Sequence, residues 1–240
     1  MYTAPEVASA FSALYTNQDG LMDKFMDFWS VVAERFAAND NVIGYDILNE
    51  PWAANLYHDK SLFLKPESFD RDLLYPMSVR ANQVVREKDT EGIIFFEPAQ
   101  FPDTLPFAGG IVYPVGFPDS PGGASDTKQS LNDHTYCCQM GPNVCANFEP
   151  PLDKTDECRA FHFKKVGQRG LDAARYGVPL IYSEFGACFD SLECQTEINN
   201  SADAFDSELA SWAYWMYKGY GDFTTTGGAA EGMFADDGSP

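Results

Sequence analysis

The sequence predicts an α/β protein with buried parallel strands, arranged either as a barrel or as an open doubly wound sheet. Nearly continuous apolar runs of strand length recur along the 240 residues, the clearest being "VIGYDILN", "GIIFFEPA" and "VPLIYSEFGA"; runs of that kind suit strands covered on both faces. Between them lie stretches with the three- and four-residue apolar spacing of amphipathic helices. Several of the runs end on a carboxylate or carboxamide, which is costly inside a core but expected where strand ends form the rim of a site. With 45% hydrophobic residues the chain is long enough for one sizeable core, so one large domain is expected rather than two small ones.

In chain order, "LMDKFMDFWSVVAERFA" sets Leu21, Phe25, Phe28, Val32 and Phe36 at helical intervals, and the breaker cluster "AANDN" ends that helix. A strand is expected over 42–50. After the loop "EPWAANLYHDKSLFLKPES", the segment "RDLLYPMSVRANQVVREKD" resumes helical spacing, with Pro76 either kinking it or marking a new start. The next strand, 93–98, closes on Glu97 and Pro98.

From Gln100 to Asn132 the chain is rich in Pro, Gly, Asp and Ser and too irregular for an ordinary connection, so a substrate-facing excursion is expected. Its "FPDTLPFAGGIVYPVGFPDSPGG" is apolar for a loop. Either it presents a groove to a ligand, or it folds over the core with Phe101, Phe107 and Phe117 buried. "NDHTYC" supplies a strand over 133–137 in which His134 and Tyr136 point the same way. A helix from about Lys154 to Tyr176, a strand over 179–186, a further helix and an aromatic strand over 211–217 ending near Lys218 complete the pattern. No GxGxxG or Walker loop follows the first strand, which disfavours the nucleotide-binding versions of such folds.

Sixteen basic against 36 acidic residues give a formal charge of −20, which repels phosphate backbones over roughly a Debye length, ~8 Å in physiological salt. Nucleic acid is therefore not an expected partner. The six cysteines lie in the second half of the chain in loop-rich sequence without zinc-ligand spacing, so disulfides and an oxidising compartment are expected. Local pairs such as Cys145 with Cys158 and Cys188 with Cys194 are expected among the roughly 15 connectivities that six cysteines allow. The sequon Asn199-Asn200-Ser201 agrees with secretion. The opening "MYTAPEVASAF" lacks the basic flank and apolar core of a signal peptide, and no transmembrane run occurs.

Polar groups close three of the strand runs: Asn49 and Glu50, His134 with Tyr136, and Glu184; Trp215 lies near the end of a fourth. In a parallel barrel all strand carboxyl ends share one face, so residues far apart in sequence can meet there. Two carboxyl groups with separated pKa values are what cleavage of a sugar linkage requires. The bland alternatives are a capping or salt-bridging role for either glutamate, a satisfied structural His134 and a core Trp215. Glu97 is a weaker candidate, with no motif beside it.

Taken together and in order, "NVIGYDILNEPW", "NDHTYC", "LIYSEFG" and "SWAYWMYKGYGDF" resemble glycoside hydrolase family 5, and within it the endoglycoceramidase-related branch. The resemblance runs from roughly Leu21 to the C-terminus. It implies a (β/α)8 TIM-type barrel and a retaining double displacement without metal or organic cofactor. By position in these motifs, Glu50 would be the acid/base and Glu184 the nucleophile. Asn49 would orient the sugar, His134 and Tyr136 would support the carboxylates, and Trp215 would floor the glycone subsite.

The substrate implied is a glycolipid, cleaved at the glycan–ceramide bond, with a membrane-surface substrate compatible with the absence of an anchor. A β-glucosylceramidase, a β-glucanase and a non-catalytic sugar-binding or non-folding remnant are the alternatives; the intact parent, but not this portion alone, is expected to be active. Only about five βα units are visible, and "NVIGYDILNEPW" takes the place of the fourth strand of eight. Residues 1–240 are accordingly expected to be the C-terminal portion of a catalytic barrel, monomeric, secreted or lysosome-like, without the β-sandwich that follows the barrel in the branch.

Overall fold

A computed structural model of the protein describes residues 4–101, 103–105, 110–141, 144–145, 149–189, 191–217 and 232–234. In chain order its elements are α1 (Pro5–Tyr15), α2 (Leu21–Phe36), β1 (Gly44–Asp46), α3 (Ser61–Leu64), α4 (Pro66–Phe69), α5 (Tyr75–Arg86), β2 (Ile93–Phe96), β3 (Thr104–Leu105), β4 (Ile111–Val112), β5 (Gln129–His134), α6 (Thr155–Tyr176), β6 (Leu180–Glu184), α7 (Leu192–Glu208) and β7 (Ser211–Trp212). Helices and parallel strands alternate as the sequence predicts. Among the described residues no helix is long and apolar enough to cross a membrane.

The chain divides into two compact units. The first comprises Met1–Asp103, Tyr113–Asn132 and Asp172–Pro179. Here β1 pairs in parallel with β2, Tyr45 opposite Ile94, and β2 pairs in parallel with β5, Phe95 opposite Ser130. Gly44 permits the first pairing, because a Cβ there would lie 2.0 Å from the Ile93 carbonyl oxygen.

Helix α2 occupies the expected residues but buries a different face. Met22, Met26 and Ala33 are buried, whereas Leu21 is 45% and Phe28 55% exposed. Met22, Met26, Trp29 and Ala33 form an equally regular helical stripe, and the Trp29 ring meets Tyr45 of β1 edge-on at 6.2 Å. Ahead of α5 a π-helical turn, Asp70–Leu74, continues in right-handed helical backbone into the helix whose first turn holds Pro76, so the proline is accommodated without a break in the chain's helical course.

Described parts of the predicted excursion are pinned to the core. The fully buried Asp70 carboxylate accepts the amide hydrogens of Ala99 and Gly116, each at 3.0 Å. Phe117 is 1% exposed and stacks on Phe96 at 5.9 Å, so at this position the loop folds over the core. Phe107 lies outside the described residues, as does Lys218. The strand expected over 133–137 begins upstream, at Gln129. Its start was hidden because the buried residues are polar and hydrogen-bonded: the Gln129 amide accepts from the Gly122 amide and donates to the Asp126 carbonyl, and the Ser130 hydroxyl donates to the Pro179 carbonyl.

The second unit comprises Thr104–Val112, Asp133–Leu171 and Leu180–Pro240. It contains the antiparallel pair β3–β4 and the parallel pair β6–β7, Tyr182 opposite Trp212. Tyr182 stacks on Phe205 of α7 at 4.8 Å, and Phe185 meets Phe205 edge-on at 5.0 Å. Helix α7 is capped by the Ser191 hydroxyl, which accepts the Cys194 amide hydrogen at 2.9 Å. The strand predicted over 211–217 is regular only at Ser211–Trp212. It resumes as a single parallel bridge between Gly186 and Trp215.

The disulfides are Cys137–Cys158, Cys138–Cys145 and Cys188–Cys194. The last is as predicted, but the expected Cys145–Cys158 pair is not formed. Cys137 is buried with Met140, Cys158 and Phe161, where it meets the first turns of α6. That leaves the less buried Cys138 to close the short loop to Cys145.

Candidate active site

In the first unit the chain leaves β1 through buried Ile47 and reaches exposed Asn49 and half-buried Glu50 before buried Pro51. Glu50 has φ of 46°, in the left-handed region, where a side chain other than glycine costs on the order of 1–3 kcal/mol. Its amide hydrogen is accepted by Glu97 Oε2 at 3.0 Å. Glu97 stands one residue past β2 and is buried. Asn132 of β5 donates from Nδ2 to Asp46 Oδ2 at 2.8 Å and to Glu97 Oε1 at 3.3 Å. Carboxyl and carboxamide groups thus tie the ends of β1, β2 and β5 together.

Beside them Trp52 and Phe101 stack with ring centres 4.9 Å apart and planes 14° from parallel, over a parallel bridge between the two residues. Neither ring stands out in the sequence, because "NEPW" and "AQF" belong to separate loops. Their common place at the ends of β1 and β2 was readable only from the barrel rule that strand ends share a face.

Glu184 is the last residue of β6, its side chain 16% exposed. Tyr136 donates its hydroxyl hydrogen to Glu184 Oε1 at 2.6 Å. His134 Nδ1 lies 3.6 Å from Glu184 Oε2, beside the carboxylate but too far for a hydrogen bond. The other ring nitrogen of His134 is 3.2 Å from Ser183 Oγ, which fixes the plane of the ring. The Thr135 amide donates to the Glu184 carbonyl at 3.2 Å. His134, Tyr136 and Glu184, three of the predicted site residues, are therefore in one cluster, with the two-residue alternation of the strand delivering both aromatic side chains to a single carboxylate.

The segment presenting Tyr136 is held from behind. The Cys137 amide donates to Glu197 Oε1 at 3.0 Å, His162 Nε2 is 2.8 Å from the same oxygen, and His162 Nδ1 is 2.8 Å from Thr135 Oγ1. Sequence reasoning missed this buried relay, since His162 and Glu197 lie on helices with no motif around them.

Asp133 sits beneath the site with Arg169 Nε at 2.6 Å and Lys165 Nζ at 3.4 Å, all three side chains buried. Burial pushes the Asp133 carboxyl up. The charges of Lys165 and Arg169 and the His134 amide outweigh that and hold it below the ordinary carboxylate range.

Trp215 is half-buried and follows Glu184 through paired backbone. Its amide donates to the Phe185 carbonyl at 2.8 Å, and its carbonyl accepts from Ala187 at 2.7 Å. Gly186, at φ of 105°, admits the Tyr214 ring where a Cβ would lie 2.2 Å from it. The glycine of "SEFG" is thus explained by the approach of Tyr214. Asn49 and Glu50 stand together in the first unit, and His134, Tyr136, Glu184 and Trp215 in the second.

A family model described as cellulase, glycosyl hydrolase family 5, matches residues 7–221. An endoglycoceramidase of Cyanea nozakii is 29% identical over 220 residues, 92% of this chain and 38% of that protein. One of Hydra vulgaris is 30% identical over 92% of this chain and 37% of its own length.

Among solved structures, endo-glycoceramidase II from Rhodococcus sp. in its lactosyl-enzyme intermediate superposes with a TM-score of 0.75 at 20% identity. The superposition covers 99% of this chain and 48% of that one. The same enzyme in its ganglioside GM3 complex gives 0.73 at 22% identity and the same coverage. These likenesses establish the fold as the α/β barrel type. The chain spans less than two fifths of the length of the two curated relatives and about half of the solved enzyme. With the family model matching most of its length, the chain belongs to glycosyl hydrolase family 5.

Proposed function

We propose that the chain supplies the catalytic carboxylates of a retaining β-glycosidase that cleaves the bond between a glycan and ceramide. The observation that carries this reading is Glu184 at a strand end, receiving the Tyr136 hydroxyl at 2.6 Å with His134 beside its second oxygen. A carboxylate that accepts such a hydrogen bond is held in one orientation, which a nucleophile needs.

In the first step Glu184 attacks the anomeric carbon while the bond to the leaving oxygen breaks and Glu50, as general acid, gives that oxygen its proton. In the second, Glu50 as general base takes a proton from water, and the hydroxide equivalent displaces Glu184. The sugar leaves with its original configuration. Asn49 orients the 2-hydroxyl and Trp215 underlies the sugar ring. No metal or organic cofactor enters these steps. Such chemistry requires carboxyl groups about 5–5.5 Å apart.

The substrate assignment is supported by the endoglycoceramidases among the relatives. The pairing of all six cysteines supports an oxidising, secreted or lysosome-like location. Turnover of a glycosylceramide carrying an oligosaccharide, of glucosylceramide and of a soluble β-glucan by the purified intact protein tests the proposal. Release of the intact oligosaccharide, abolished in Glu184→Gln, is expected. Activity on the glucan alone contradicts the lipid assignment, and glycan binding without turnover contradicts the enzymatic one.

A further inference from the structure

We propose that Glu97 is a positioning residue for Glu50, its buried carboxylate holding the Glu50 backbone in the conformation that directs the acid/base side chain. The inference deepens the reading of Glu50 as acid/base and rests on it.

Three observations in the first unit support the assignment. Glu97 is 3% exposed, and a carboxylate that deeply buried needs donors on its oxygens. The two oxygens meet different ones, Oε2 the Glu50 amide at 3.0 Å and Oε1 the Asn132 carboxamide at 3.3 Å. Glu50 is a non-glycine residue at φ of 46° immediately before Pro51. A residue before proline is steered towards extended backbone, so this conformation has to be imposed from outside. Finally, Asn132 also donates to Asp46 at 2.8 Å, so the group that braces Glu97 is fixed to the strand leading into Glu50. The role assigned to Glu97 runs through the Glu50 main chain.

Replacement by glutamine isolates this role. Glutamine keeps the shape but has one acceptor oxygen where glutamate has two, so either the Glu50 amide or the Asn132 carboxamide loses its acceptor and faces an NH2 group instead. A misdirected acid/base harms the departure of a poor leaving group, which needs a proton, and spares a good one, which does not.

The test compares kcat/KM of wild type and Glu97→Gln on an alkyl β-glycoside and on the corresponding dinitrophenyl β-glycoside. On the alkyl glycoside the expected loss is about 100-fold or more, the scale of general acid catalysis. The dinitrophenyl glycoside is expected to lose less than about fivefold, with azide speeding release of its glycosyl-enzyme. Equal losses on the two substrates, or no loss on either, overturn the proposal.

If Glu97→Gln does not fold, Asn132→Ala leaves Glu97 in place and removes the carboxamide that donates to Glu97 and to Asp46. It is expected to give a smaller split in the same direction, and absence of a split there is equally contrary. Crystal structures of wild type and variant decide the point without activity. Departure of the Glu50 φ from the left-handed region supports the clamp, and an unchanged Glu50 overturns it. Should wild type turn over neither substrate, the acid/base reading fails on that result while the structural comparison still decides whether Glu97 sets the Glu50 conformation.

Discussion

Tyr136 and Glu184, 48 positions apart in the chain, share a hydrogen bond of 2.6 Å in which the phenol donates to Oε1 of the carboxylate. Hydrogen bonds to ionised groups are the strong ones, about 1.5–3 kcal/mol each. Tyr136→Phe, which removes only the hydroxyl, is therefore expected to lower kcat/KM by roughly 10- to 150-fold, with KM changed little. Steady-state kinetics on a glycosylceramide measures it. A variant as active as wild type would mean that the phenol does not serve the nucleophile.

Arg169 and Lys165 neutralise Asp133 where water cannot, all three side chains being at most 1% exposed. Arg169→Ala leaves the carboxylate with Lys165 alone and opens a cavity beneath the strand end. Breaking a buried ion pair costs about 3–5 kcal/mol, and the lower end is expected because Lys165 stays. Urea unfolding followed by tryptophan fluorescence reads the change as a fall in midpoint. A shift below about 1 kcal/mol would show that the cluster contributes little to stability.

Stability should be flat near neutrality and fall at both ends of the pH scale. Asp133, Asp89 and Asp126 are all held below the ordinary aspartate value of 3.8 against the upward push of burial: Asp133 by Lys165 and Arg169, Asp89 by the Tyr45 hydroxyl, Asp126 by Arg86. A depressed carboxyl stabilises the fold above its unfolded pKa, and that contribution is lost as pH drops through the folded value, below about 3.8. Tyr45 has the opposite sign. Burial and the bond to Asp89 push it up to about 12 from 10.0, so its contribution is complete below pH 10 and disappears between those values. Urea midpoints measured from pH 2 to 12 check both limbs. Tyr45→Phe should remove part of the alkaline loss.

Peptide mapping without reduction is expected to return Cys137–Cys158, Cys138–Cys145 and Cys188–Cys194. Replacing both members of the Cys137–Cys158 bridge, which spans 21 residues, should cost about 3 kcal/mol on loop-closure grounds. The same change should loosen the segment that presents Tyr136. Recovery of a Cys145–Cys158 peptide would contradict the assignment.

The sequence showed the fold wherever burial is apolar. "VIGYDILN", "GIIFFEPA" and "VPLIYSEFGA" each fold as a strand because a two-sided parallel strand leaves a continuous apolar trace. It failed where burial is polar. Gln129, Ser130 and Asn132 look like loop residues, yet each is buried with its hydrogen bonds made inside the protein. In α2, periodicity identified the helix but not its buried face, since Leu21–Phe28 and Met22–Ala33 stripes are equally regular and tertiary contacts such as that of Trp29 with Tyr45 choose between them. The predicted Tyr136, His134 and Glu184 do gather. Glu97 stands out only as a weaker candidate, and His162 and Glu197 not at all, because their partners are a backbone amide and side chains on distant elements.

The central claim is that Glu184 attacks the anomeric carbon. A 2-deoxy-2-fluoro-β-glycosyl fluoride of the natural sugar, which forms the glycosyl-enzyme but releases it slowly, allows that bond to be found by mass spectrometry of the digested protein. The account predicts the added sugar on the peptide containing "LIYSEFGACF", at Glu184, and none in Glu184→Gln. A sugar attached at Glu50 or Glu97, or rapid inverted product with no attached sugar at all, would contradict it.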